Sequence, residues 1–77
     1  MNKERRKLLE RASGLLCEAR NLIDEAREEE QEAFDNLPDS LQSSERGGQM
    51  EETIYNLEEW INNIEEAENG LDEIVSN

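Results

Sequence analysis

Carboxylates are the only side chains in this sequence that occur in a quantity and spacing able to do chemistry. Of 77 residues, 21 are Asp or Glu and 8 are Lys or Arg, a formal net charge of −13. Four acidic pairs recur every seven residues: Glu51 with Glu52, Glu58 with Glu59, Glu65 with Glu66, and Asp72 with Glu73. On a helix this spacing sets successive pairs about 10.5 Å apart along one side, a ladder of roughly 32 Å against the ~34 Å of one DNA turn. Glu68, and earlier Asp24, Glu25, Glu28, Glu29, Glu30, Glu32 and Asp35, widen the negative field. Such a surface can imitate a phosphate backbone and occupy the basic groove of a nucleic-acid-binding protein. It can equally be a solvated face that keeps a small chain dispersed. The scarcity of Lys and Arg after Arg27 weighs toward the first use, because like-charged neighbours on a helix cost stability, without displacing the second.

Other chemistry is poorly provided for. With no His and one Cys the chain lacks the donors of a usual zinc or iron–sulfur site and the partners of a Ser-His or Cys-His nucleophile. It has no Asp-x-Asp-x-Asp-Gly calcium loop and no Glu-x-x-His of a di-iron bundle. Acid–base catalysis by paired carboxylates needs a water-excluding pocket, for which two long helices leave little room. The expectation is therefore no enzyme, no cofactor and no metal. The charge opposes direct binding to nucleic acid or to anionic membranes. No apolar run approaches a membrane span and no signal-peptide core follows Met1. The lone Cys17 fits a reducing, cytoplasmic setting; it reads as a tolerated surface thiol, or as a cross-link between copies on oxidation.

The elements that must carry the ladder come from internal repeats. From Leu8 the chain divides into sevens beginning Leu8, Leu15, Leu22, Glu29, with alanine in the fifth place at Ala12, Ala19, Ala26 and Ala33. From Met50 it divides again, beginning Met50, Leu57, Ile64, Leu71, with Ile54, Ile61, Glu68 and Val75 fifth. An apolar 3-4 alternation is a helix period. It predicts a first helix over about 3–36, a turn over about 37–47 around Pro38, and a second helix over about 48–76, in a single domain. Pro38 opens a short turn through Leu41, with Ser43, Ser44 or Gly48 as the next cap. Phe34, Leu37, Leu41, Met50 and Tyr55 would form an apolar plug there. In this reading the first and fifth places make the seam, small alanines meet the large residues of the second helix, and Cys17 lies outside.

Charge selects an antiparallel hairpin over one rod. Residues 1–20 hold six basic and three acidic side chains, and residues 41–77 hold one basic and ten acidic. Lys3, Arg5, Arg6, Lys7 and Arg11 oppose the dipole at one helix start, and Glu65, Glu66, Glu68, Asp72 and Glu73 oppose it at the other helix end. Laid side by side, each cluster offsets the other. That pairing also explains the basic start better than a nucleic-acid arm does. Two rows remain: Leu9, Leu16 and Ile23 on the first helix, Trp60, Ala67 and Ile74 on the second. They are expected on opposite flanks, covered by a second copy in a four-helix bundle, with Trp60 the best single anchor for a partner.

The run EEEQEAFDNLPDSLQSSERGGQMEE, residues 28–52, resembles a segment of small acidic helical-hairpin proteins from phages and related mobile elements. The resemblance rests on Glu30–Pro38, Ser40–Gln42, Ser44–Gly47 and Met50, under a third of the chain. It implies a compact accessory protein that acts by binding, against a host or defence factor, and carries no functional residue over. Met1 and the self-contained repeats favour a whole chain over an excised piece.

Two functions stand against each other. One is an acidic inhibitor that blocks a nucleic-acid-handling protein through Glu51, Glu52, Glu58, Glu59, Glu65, Glu66, Asp72 and Glu73. The other is a self-assembling bundle, or a subunit of a larger coiled coil, joined through Leu9, Leu16, Ile23, Trp60 and Ile74.

Overall fold

Each helix start is set by a side chain that replaces a missing backbone partner. In the computed structural model, which describes residues 1–77, α1 runs Lys3–Asp35, α2 Asp39–Gln42 and α3 Glu45–Ser76. The Asn2 side chain accepts from the Arg5 backbone N–H at 2.9 Å, satisfying one orphan donor of α1. Pro38 stops α1 and stands immediately before the single turn of α2. The Ser44 hydroxyl accepts from the Gly47 N–H at 3.4 Å, so α3 begins at Glu45 rather than near residue 48. All three glycines of α3 stay in ordinary helical backbone, with no positive φ anywhere in the chain.

α1 and α3 form an antiparallel hairpin 58 Å long and 14 by 13 Å across. The Ser13 hydroxyl donates to Asp72 Oδ1 at 3.2 Å, and Arg20 Nε donates to Glu68 Oε2 at 2.7 Å. At the turn end, Phe34 and Ile54 line one groove. These three pairings fix direction and register together. In α3 the inward row is Gly47, Met50, Ile54, Leu57, Ile61, Ile64, Glu68, Leu71 and Val75, every one buried or half-buried. This is the seam the heptads predict. Its only fully buried apolar side chain is Ile54, 6% exposed.

In α1 the seam lies one residue later than the repeats suggest. The inward row is Arg6, Leu9, Ser13, Leu16, Arg20, Ile23, Arg27, Glu30 and Phe34, and Leu37 continues it just past the helix end. Leu8, Leu15 and Leu22, expected inside, are 66%, 56% and 63% exposed. Leu9, Leu16 and Ile23, expected on an outer flank, instead pack toward α3. The alanines lie beside the seam, Ala12 and Ala19 half-buried, Ala26 and Ala33 exposed. Cys17, expected outside, is half-buried. The physical reason is Glu68. A carboxylate at an inward position of α3 requires a cation opposite, and rotating α1 by one residue brings Arg20 there. The Arg and Ser row then faces inward and the purely apolar leucine row faces out.

The one ion pair between the helices joins Glu68 to Arg20, which lies outside the basic cluster expected to offset the acidic end of α3. The other ion pairs lie within α1, from Arg27 to Asp24 and to Glu28. Lys3, Arg5, Arg6, Lys7 and Arg11 make none. Arg6, first in the seam row, has its Nε buried without a hydrogen-bond partner.

The turn closes by backbone approach. Gln42 Nε2 donates to the Phe34 carbonyl at 3.1 Å, tying α2 to the end of α1. A Cβ on Gly47 would collide with the carbonyls of Gln42 and Leu41, so only glycine lets α2 fold back onto the first turn of α3. Phe34, Leu37 and Met50 are half-buried here, whereas Leu41 and Tyr55 of the expected plug are 41% and 61% exposed.

Candidate functional site

The one-residue rotation of α1 collects the spare apolar residues on one side. Ala33 of α1 and Thr53 and Met50 of α3 line the same groove on one side of the seam. Gln31 lines the groove on the other side, with Glu51, Tyr55 and Glu58. Steps of seven along a helix keep direction. The first side therefore carries the alanine row and, just beyond it, Leu8, Leu15 and Leu22 from α1. From α3 it carries Thr53, Trp60, Ala67 and Ile74. Trp60 is 61% exposed and Ile74 47%. The sequence reading puts Leu9, Leu16 and Ile23 on one flank and Trp60, Ala67 and Ile74 on the other; in the structure a different row of α1 is left over, and it shares a face with Trp60, Ala67 and Ile74. Leu8, Leu15 and Leu22 belong to it, and Leu9, Leu16 and Ile23 do not.

The opposite side is acidic. Glu51, Glu58, Glu65 and Asp72 flank the seam there, and their neighbours Glu52, Glu59, Glu66 and Glu73 point from the outer edge of α3. All eight are exposed. None makes an ion pair; Asp72 accepts only from Ser13. Asp24, Gln31 and Cys17 of α1 share this side by the same sevenfold steps. Around Cys17, Arg20 Nη2 and Asn21 Nδ2 approach the sulfur at 3.7 and 4.0 Å, weak contacts that accompany its partial burial. No group of three or more carboxylates and thiol converges to hold a metal ion. No helix is long and apolar enough to cross a membrane.

Between the two sides, Glu68 is 8% exposed and pairs with the half-buried Arg20. The hydrogen bond from Arg20 to Glu68, and then the Glu68 charge, raise the Arg20 pKa above its ordinary value, so the guanidinium stays charged at every ordinary pH. The signal for this pair was present in the sequence. Arg6, Ser13, Arg20, Arg27 and Phe34 recur at steps of seven, and a Glu in an otherwise apolar seam asks for such a row opposite.

Comparison with protein-family models, curated proteins and solved structures found no match to this chain.

Proposed function

We propose that this chain is a non-enzymatic protein-interaction module whose contact surface is the apolar face of the hairpin, closed by a second copy into a four-helix bundle. The supporting observation is the one-sided exposure of Leu8, Leu15, Leu22, Trp60 and Ile74. Two helices touching along one line bury one apolar residue fully between them, and a second layer supplies the missing core. Sedimentation equilibrium tests this. The expected mass is twice 8.9 kDa, and Leu15→Glu with Trp60→Glu returns it to one chain. A wild-type chain that stays monomeric at high micromolar concentration overturns the reading.

A second reading is favoured by the unpaired acidic side. Pairing through the apolar faces leaves that side outward on both copies. There it can compete with nucleic acid for the basic groove of a nucleic-acid-handling protein, as an accessory protein of a phage or mobile element would against a host or defence factor. The test is competition between this chain and duplex DNA for such a protein. Changing Glu58, Glu59, Glu65 and Glu66 to Lys should abolish it; binding that survives the reversal removes the reading.

A further inference from the structure

We draw no further inference here: the strongest candidate, the exposed apolar face that Leu8, Leu15 and Leu22 of α1 share with Trp60 and Ile74 of α3, belongs to the contact surface already proposed, and nothing in the structure shows what covers it or in which sense.

Discussion

Arg20 and Glu68 meet across the seam at 2.7 Å, 48 residues apart in sequence, and they determine which side of α1 faces α3. An apolar alternative, with Leu8, Leu15 and Leu22 turned inward, would leave Glu68 without a partner. Replacing either member alone should lower the melting temperature, more for Arg20→Ala, which strands a buried carboxylate, than for Glu68→Ala, which frees a half-exposed guanidinium. Replacing both with Leu should raise it above wild type, because well-packed apolar pairs commonly outdo buried ion pairs. Thermal melts followed by circular dichroism give the order. A double variant less stable than both singles would contradict it.

Gly47 and Gly48 are adjacent and should respond oppositely to Ala. A methyl on Gly47 overlaps the backbone of α2, while nothing lies within 4 Å of one on Gly48. Gly47→Ala should therefore open the turn and lower stability. Gly48→Ala should add about 0.5–1 kcal/mol by lowering the entropy of the unfolded chain. Gly14→Ala and Gly70→Ala, also in open helix, should match Gly48→Ala. Urea titrations at fixed protein concentration measure all four.

Ile54 is the one apolar side chain removed almost fully from water, at 6% exposure. Truncation to Ala should cost about 2–4 kcal/mol, the range for a large aliphatic side chain lost from a packed site. Tyr55→Ala, next to it and 61% exposed, should change stability far less in the free hairpin. Similar losses at both positions would show that the side lined by Tyr55 is covered in solution.

Salt should stabilise this protein. The chain carries a net charge of −13 and a single ion pair between its helices, so repulsion among carboxylates outweighs attraction. Raising ionic strength from 0.01 to 0.15 M shortens the screening length from about 30 to about 8 Å and should raise the melting temperature. A fall would mean that attractive pairs dominate.

The second half of the molecule was legible because it leaves no choice. Met50, Ile54, Leu57, Ile61, Ile64, Leu71 and Val75 form one stripe, and a single 3-4 stripe has one inward face. The first half offers three adjacent rows. Leu8, Leu15 and Leu22 with the alanines look like the best seam because no polar residue interrupts them before Glu29. Leu9, Leu16 and Ile23 share their seam with Ser13, Arg20 and Arg27, and no hydropathy count selects that. What decides is a demand from the other helix, the carboxylate of Glu68, and a periodicity taken one helix at a time does not register it. The same error placed the spare apolar rows on opposite flanks. Rotating one helix by one residue moves a row by about 100°, enough to carry it from one flank to the other.

The well-buried positions are unevenly spread along the 58 Å hairpin. Gly47 and Ile54 sit by the turn, Glu68 lies farther along, and beyond it toward Ser76 no residue is fully buried. Opening is then directional, as in a zipper whose slider rests at the bend. Amide protons of Leu9 and Val75 should exchange with solvent before those of Ile54 and Phe34. A separation of the arms that starts at the loose end leaves the bend as the template on which the helices close again.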